Sequence, residues 1–203
     1  MHEVHSYDPA QGHGLPHNPI KAIVAPRPIG WISTRDAEGR VNLAPYSFFN
    51  IFSDAPPIIA FGSDGEKHSV ANARATGEFV FNLATFELAE AMNLTSGSFA
   101  AGHDEMAAAG LEAAPSDVVG VPRVARSPAA LECRVLDIHR LHDLAGRDLD
   151  SYMVLGQVVR VHIHRSALKD GIFDIAAVRP IARCGYRGDY AVVDETFQMI
   201  RPA

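Results

Sequence analysis

The sequence has few of the features that mark disulfide-rich, secreted, membrane or nucleic-acid-binding proteins. Its two cysteines, Cys133 and Cys184, are far apart and lack CxxC spacing, so they indicate neither a zinc site nor a disulfide scaffold. No basic stretch followed by an apolar run stands at the N-terminus, and no apolar run is long enough to span a bilayer. A formal net charge of -6 provides no basic field for nucleic acid. We therefore expect a cytoplasmic protein that binds neither membranes nor nucleic acid.

Familiar catalytic and metal-binding motifs are also missing. We find no GxSxG elbow, no HExxH and no GxGxxG after a strand, so the sequence predicts no catalytic side chain. His162 and His164 lie two apart in a predicted strand, as metal ligands do, but no third ligand stands nearby. We interpret these two histidines as part of a polar strand face, and we predict no metal site.

The composition that remains is that of a folded domain. The chain has 203 residues, of which 47% are hydrophobic and 21% charged, which favours one globular domain with a substantial core. Residues 1–18 are rich in Gly, Pro and His without apolar periodicity, and we interpret them as an irregular N-terminal arm. We interpret residues 19–203 as the globular domain.

Short strand-like runs dominate the domain, with few helical segments between them. Helices are predicted over KHSVANARATG, ending at Gly77, and over FELAEAMNLT, with a helical turn in DEMAAAGL. Mostly antiparallel strands with two or three short helices indicate a β-barrel with helical attachments. The predicted strands are IKAIVA, WIST, VNLAPYS, PPIIAFGS, EFVFNLAT, ALECRVLDIHRLHD, DSYMVLGQVVRVHIHR and YAVVDETFQMI.

The segment GSDGEKHSVAN, residues 62–72, has the outline of a phosphate site. A helix that begins near Ser69 leaves unpaired backbone N–H groups and the positive end of its dipole beside Lys67 and the Ser69 hydroxyl. Such a helix start binds the phosphate of a mononucleotide. An ordinary serine N-cap beside a solvated lysine explains the same residues, and on this segment alone it is the better interpretation.

The stretch LAPYSFFN, residues 43–50, mixes aromatic rings with small hydrogen-bonding groups. A plain core strand would alternate apolar and polar residues, whereas this run crowds both kinds together between turn-forming segments. The mixture suits a flat ligand with apolar faces and a polar edge.

Six segments, taken in order, resemble the flavin reductase-like family of FMN-binding split barrels, from about Asn18 to about Tyr190. The resemblance implies a mostly β fold, a six-stranded antiparallel split barrel with short helices attached. It also implies a homodimer that holds FMN at the subunit boundary. An isoalloxazine ring has the apolar faces and polar edge that LAPYSFFN suits. The segments are PRPIGWIST at 26–34, NLAPYSFFN at 42–50, DAPP at 54–57, KHSVAN at 67–72, GEFVFNLA at 77–84 and RPIARCGYRGDY at 179–190.

The resemblance implies eleven cofactor-binding residues in three groups. Relatives often carry Lys-Asp-Thr where this chain has Lys67, His68 and Ser69, so His68 either favours the phosphate or faces solvent. The three groups line the cofactor groove (Trp31, Ser33 and Thr34), border the isoalloxazine (Tyr46, Ser47, Phe48, Phe49 and Asn50) and hold the phosphate (Lys67, His68 and Ser69).

Two further residues have alternative roles. Arg27 in PRPIG either anchors a phosphate or nicotinamide nucleotide or pairs with a carboxylate at the barrel end. His103 in AGHDEM is interpreted as a solvated loop residue, with a place in a lid over a nicotinamide site as the alternative.

The activity that the resemblance implies is an NAD(P)H-dependent flavin oxidoreductase. It transfers a hydride from NADH or NADPH to FMN, and the reduced flavin passes to a partner monooxygenase or another acceptor. The alternative is a non-catalytic FMN electron carrier of the flavoredoxin type, and a weaker third interpretation is a split barrel that binds heme or deazaflavin. The sequence does not distinguish NADH from NADPH, or bound FMN from FMN as a diffusing substrate.

Overall fold

The computed structural model describes residues 2–100 and 102–202. Two 3-10 turns, Phe86–Leu88 and Arg165–Ala167, accompany five short helices: α1 (Ile20–Ile23), α2 (His68–Thr76), α3 (Ala89–Leu94), α4 (Glu105–Ala108) and α5 (Ile175–Val178). The strands are β1 (Arg27–Pro28), β2 (Gly30–Arg35), β3 (Val41–Tyr46), β4 (Phe49–Asp54), β5 (Pro57–Asp64), β6 (Glu78–Leu83), β7 (Ala113–Ala114), β8 (Arg123–Val124), β9 (Ala129–His142), β10 (Asp148–Ile163), β11 (Leu168–Lys169), β12 (Ile172–Phe173), β13 (Ile181–Arg183) and β14 (Tyr190–Val192).

The main sheet is antiparallel and runs in the order β3-β2-β6-β9-β10-β5-β4. It has seven strands where six were predicted, because the run from 41 to 54 bends at Ser47 and Phe48 and counts as two strands. A second, antiparallel sheet has the order β1-β13-β14. The predicted mostly β, antiparallel architecture with short helices is confirmed.

Aromatic residues on the inner face of the main sheet form the centre of the core. Phe61 packs against Tyr46, with ring centroids 4.8 Å apart, and edge-on against Phe79 at 5.4 Å. Gly156 on β10 makes room for the Phe79 ring, because a Cβ at this position would collide with it. The core therefore requires glycine at this position.

A buried carboxylate ties the 117–119 loop to the sheet. Glu132 on β9 is fully buried and accepts hydrogen bonds from the backbone N–H groups of Asp117, Val118 and Val119 at 2.7, 2.7 and 3.0 Å. His162 Nε2 lies 2.5 Å from the same carboxylate. Burial raises the pKa of Glu132, but these hydrogen bonds outweigh it and lower the pKa to about 2.

His162 is thus a partner of Glu132 rather than a member of an HxH metal pair, and His164 is exposed to solvent. Ligand atoms of Asp117, Glu132 and His162 lie within 4.8 Å of one another, as metal ligands do. Both oxygens of Glu132 already accept hydrogen bonds from protein groups, however, so we interpret this cluster as a structural link.

Two of the predicted strands are wrong in whole or in part. The first four residues of IKAIVA form the one-turn helix α1, because Asn18 Oδ1 accepts the N–H of Ile20 at the start of the turn. Ile23 in this helix is 73% exposed. YAVVDETFQMI is a strand only over β14, and Phe197 in the rest of it is exposed. The division between an arm and a domain at residue 18 stays a prediction, although residues 2–19 contain neither helix nor strand.

Candidate functional site

Two adjoining cavities lie beside β3. A small cavity of about 390 Å³ is lined by residues of β3, the start of α2 and the 95–99 segment. A large cavity of about 970 Å³ is lined by residues from α1, β1, α3 and the β13–β14 region. Pro45 and Ser96 line both, so the two cavities adjoin each other at these residues.

The start of α2 forms one wall of the small cavity. The helix runs from His68 to Thr76 and ends at Gly77, whose φ of +71° suits glycine, as the sequence predicted. Val70 and Ala73 are buried in the core and hold the helix against the sheet. No side chain caps the helix at Lys67, so its first N–H groups are open to an anionic ligand.

Ser69 is buried at this helix start and belongs to a polar network. Asn42 Nδ2 donates to Ser69 Oγ at 2.9 Å and to Thr34 Oγ1 at 3.2 Å, and Asn72 Nδ2 also donates to Thr34 Oγ1 at 3.1 Å. Ser69 Oγ accepts a hydrogen bond from Asn42 and is also a hydrogen-bond partner of the Tyr46 hydroxyl, so the polar network reaches from β3 to the helix start.

Tyr46 and Glu105 bring a phenol and a carboxylate to the small cavity. Burial raises the pKa of Tyr46, and the negative charge of Glu105 raises it further, so the phenol is a neutral hydrogen-bond donor. Glu105 is only 5% exposed, and its Oε2 accepts the N–H of Leu43 at 3.1 Å. A carboxylate here suits ligand hydroxyl groups, whereas the helix start suits phosphate.

The large cavity is positively charged. Its lining contains four cationic side chains and one carboxylate, Glu90. No histidine or cysteine lines it within residues 2–100 and 102–202, so no side chain with an unperturbed pKa between 6 and 8 faces this space. The cations are Lys21, Arg27, Arg183 and Arg187.

Arg27 is buried in the wall of the large cavity without a carboxylate partner. Its guanidinium donates to the backbone carbonyls of Lys21, Val24 and Cys184, the last at 2.9 Å, which joins α1 to the end of β13. Its Nε has no acceptor among the described residues. Of the two predicted roles, pairing with a carboxylate is therefore not observed in the described part of the chain, and Arg27 faces the cavity.

Five of the eleven predicted cofactor residues line the cavities. Lys67, His68, Ser69 and Tyr46 line the small one, and Ser47 lines the large one. The structure thus brings the phosphate segment and the start of the aromatic segment to two adjoining cavities.

Trp31, Ser33 and Thr34 are buried in the sheet and are not part of the cavity walls. All three belong to β2. Trp31 Nε1 donates to Thr95 Oγ1 at 2.9 Å, and Ser33 Oγ donates to the carbonyl of Pro122 at 2.7 Å. Through Thr95, Trp31 supports a residue that lines the small cavity.

Phe48, Phe49 and Asn50 also lie outside both cavities. Phe49 stacks on Phe81 in the core, with ring centroids 4.8 Å apart and an interplanar angle of 8°. Phe48 and Asn50 are exposed beside the edge strand β4, together with Ile51. The bend at Ser47 and Phe48 separates these residues from Tyr46.

Several residues that line the cavities were not predicted from the sequence. The arginines of ARCGYRGDY offered a signal, since they flank glycines in a turn-rich segment, and the polar stretch TSGSF follows a predicted helix. The missed residues are Asn42, Thr95, Ser96, Phe99 and Glu105 in the small cavity and Lys21, Glu90, Arg183, Arg187 and Tyr190 in the large one.

Comparison with known proteins settles the family. The protein-family model described as "Flavin reductase like domain" matches residues 24–181 of this chain. The chain belongs to the flavin reductase-like family. An uncharacterized protein from Deinococcus radiodurans is 38% identical over 194 residues, which cover 90% of this chain and 82% of that protein.

Solved structures of the flavin reductase-like family share the fold. Component B of a nitrilotriacetate monooxygenase from Bacillus cereus superposes with a TM-score of 0.80 at 27% identity, covering 89% of this chain and 91% of that one. Flavoredoxin of Desulfovibrio vulgaris superposes with a TM-score of 0.76 at 21% identity, covering 87% and 91%, a likeness that shows the fold alone. The predicted membership of the flavin reductase-like family and the predicted split-barrel fold are confirmed. Within the described residues, no helix has the length and apolar character needed to cross a membrane.

Proposed function

We propose that this protein is an NAD(P)H-dependent FMN oxidoreductase. The observation that carries the proposal is that the two cavities adjoin each other, one with an uncapped helix start and one with four cations. A flavin nucleotide needs a phosphate site joined to a larger space, and a dinucleotide donor needs cationic groups for its phosphates. The similarity to a monooxygenase component supports delivery of reduced flavin to a partner monooxygenase or another acceptor.

The residues of the small cavity fit the ribityl phosphate of FMN. The N–H groups at the start of α2, the ammonium of Lys67 and the hydroxyl of Ser69 can all donate hydrogen bonds, as a phosphate requires. We assign His68 to the same phosphate segment. Glu105 accepts hydrogen bonds and therefore suits ribityl hydroxyl groups.

The aromatic segment serves the ring of the flavin in this proposal. Tyr46 lines the small cavity and Ser47 the large one, and we assign the exposed Phe48 and Asn50 to the same ring from its subunit-boundary side. Phe49 holds this segment in place through its stacking on Phe81. Trp31, Ser33 and Thr34 support the groove from behind, through their contacts with Thr95, Asn42 and the strand beneath.

When bound, FMN supplies the group that accepts a hydride from NADH or NADPH and later releases electrons. The protein's own contribution is to hold the two nucleotides in contact and to exclude water between them. Ser47 offers a hydroxyl that hydrogen-bonds without titrating near neutral pH.

An absorbance experiment tests the proposal. Purified protein is mixed with FMN, made anaerobic and given NADPH or NADH in turn. Bleaching of the flavin absorbance on repeated turnover supports the oxidoreductase. Binding of FMN without bleaching by either donor would instead assign the protein to the electron-carrier alternative.

A first prediction concerns pH. We expect the rate of flavin bleaching to vary by less than about threefold between pH 6 and 8, because the large cavity contains no group that titrates there. Ser47→Ala should slow bleaching by about tenfold or less, the effect of one hydrogen bond, while Ser166→Ala, remote from both cavities, should have no effect. A steep single-proton profile that disappears on changing His68 or His103 would contradict this expectation.

A second prediction concerns assembly. The edge strand β4 and the residue before it expose Phe48, Ile51 and Phe52 at 52%, 58% and 61%, and such an apolar edge favours pairing with a second copy. We propose a homodimer and expect Phe52→Asp to shift light-scattering mass toward the monomer and to weaken FMN binding. Glu87→Asp, an exposed change elsewhere, serves as the control. A wild-type protein that light scattering shows to be a monomer, and that binds FMN as tightly as its Phe52→Asp variant, would contradict the dimer.

A further inference from the structure

Resting on the proposed function, we propose that the large cavity selects an adenine nucleotide with a 2′-phosphate, and so NADPH over NADH, through Arg183 and Arg187. The lining of this cavity carries an excess of positive charge. Four cations and one carboxylate line the cavity, an excess that suits a ligand with more than the two charges of a pyrophosphate. A 2′-phosphate adds about 1.5 to 2 negative charges near neutral pH.

The cations are available to a ligand because protein carboxylates do not neutralise them. Lys21, Arg183 and Arg187 form no salt bridge within the described residues, although eight salt bridges occur elsewhere. Arg27 is only 8% exposed and is held by carbonyl groups alone. A buried cation without a counter-ion is costly, and an anionic ligand is the natural compensation.

Arg183 is positioned by an aromatic ring instead of a carboxylate. Its guanidinium lies 4.6 Å from the centroid of the Tyr190 ring, which leaves its N–H donors free. Arg187 is exposed on the turn between the two strands that carry Arg183 and Tyr190. Two arginines on one hairpin offer paired donors of the kind that bind a phosphate monoester.

One residue opposes this assignment. Glu90 lines the same cavity, and a carboxylate that accepts a ribose 2′-hydroxyl favours the unphosphorylated nucleotide, whereas arginine accommodates the 2′-phosphate. Because four cations face this single carboxylate, we expect the cavity to favour the nucleotide with the 2′-phosphate. Removal of the Glu90 charge should therefore leave the preference in place or increase it.

Calorimetry on the FMN-loaded protein tests the site without relying on turnover. The ligands are adenosine 2′,5′-bisphosphate and adenosine 5′-monophosphate, which differ only in the 2′-phosphate. We expect the bisphosphate to bind about tenfold more tightly or better, and Arg183→Ala and Arg187→Ala each to remove most of that difference. Arg147→Ala, in the exposed β9–β10 turn, is the matched control and should not change it.

The outcomes separate this inference from the proposed function. Equal affinity of the wild-type protein for the two adenosine phosphates would overturn the 2′-phosphate site, whether or not the flavin bleaches. So would a preference that survives in the folded Arg183→Ala and Arg187→Ala variants. A preference lost in both variants, but with no bleaching by either donor, would support the 2′-phosphate site and refute hydride transfer. NADPH turnover that falls in parallel with the binding preference supports both.

Discussion

Replacing Lys67 and Ser69 together by alanine is expected to weaken FMN binding by about 100-fold or more, while riboflavin binding changes by less than about tenfold. Each charge-assisted hydrogen bond to a phosphate contributes roughly 1.5 to 3 kcal/mol, and the exposed position of Lys67 places it at the lower end. Riboflavin lacks the phosphate, so it does not gain these contacts. Fluorescence titration of the two flavins against each variant measures the difference.

The matched control is Lys169→Ala with Ser166→Ala, which removes the same two kinds of side chain from an exposed segment that lines neither cavity. Ser69 Oγ also accepts a hydrogen bond from Asn42, so the melting temperature of each variant must be recorded. Equal losses of FMN and riboflavin affinity in a folded variant would remove the phosphate from the start of α2.

Glu132→Gln is expected to lower the free energy of unfolding at pH 7 by about 3 kcal/mol. The carboxylate is fully buried and accepts three backbone N–H groups as well as lying against His162. An amide in its place retains one acceptor oxygen and sets an N–H₂ group against backbone donors, which leaves buried donors unsatisfied. Urea titration of the variant against the wild type measures the loss, and Glu38→Gln, on an exposed side chain, should cost less than about 0.5 kcal/mol.

The same carboxylate predicts a loss of stability in acid. Its pKa is lowered in the folded state from the model-compound value of 4.5 to about 2, so the unfolded chain takes up the proton first as the pH falls. The contribution of Glu132, on the order of 3 kcal/mol, is complete above pH 4.5 and is lost as the pH falls toward 2. Glu132→Gln should flatten this part of the pH–stability curve. An unchanged slope in the variant would show that Glu132 is not the group responsible.

Local patterns were sufficient to predict α2 and much of the sheet. Gly77 ends α2 because a left-handed conformation suits glycine, and the segment before it has no strand alternation. The long β9 and β10 runs were predicted because β-branched and apolar residues recur along both on either side of a polar turn. The order of these segments also carried the family resemblance, because it is a property of the chain itself.

Local patterns failed where a segment depends on its neighbours. IKAIVA has the composition of a strand, but it forms a helical turn whose carbonyls accept hydrogen bonds from Arg27. The bend at Ser47 and Phe48 likewise depends on pairing of β4 with β5, which takes Phe48 and Asn50 to an exposed edge. Propensity describes one segment at a time and does not include these partners.

The sequence by itself determined the antiparallel β class, the helix start at Lys67 and Ser69 and membership of the flavin reductase-like family, since each is carried by local patterns or by the order of segments along the chain. Only the tertiary structure decided that Lys21 and Arg27 share a cavity with Arg183 and Arg187. The link between these regions is a hydrogen bond from Arg27 to the carbonyl of Cys184, 157 residues away. Such a contact exists only after the chain has folded. Closing so long a loop costs conformational entropy, and the packing of the whole barrel offsets that cost, whereas no local preference can.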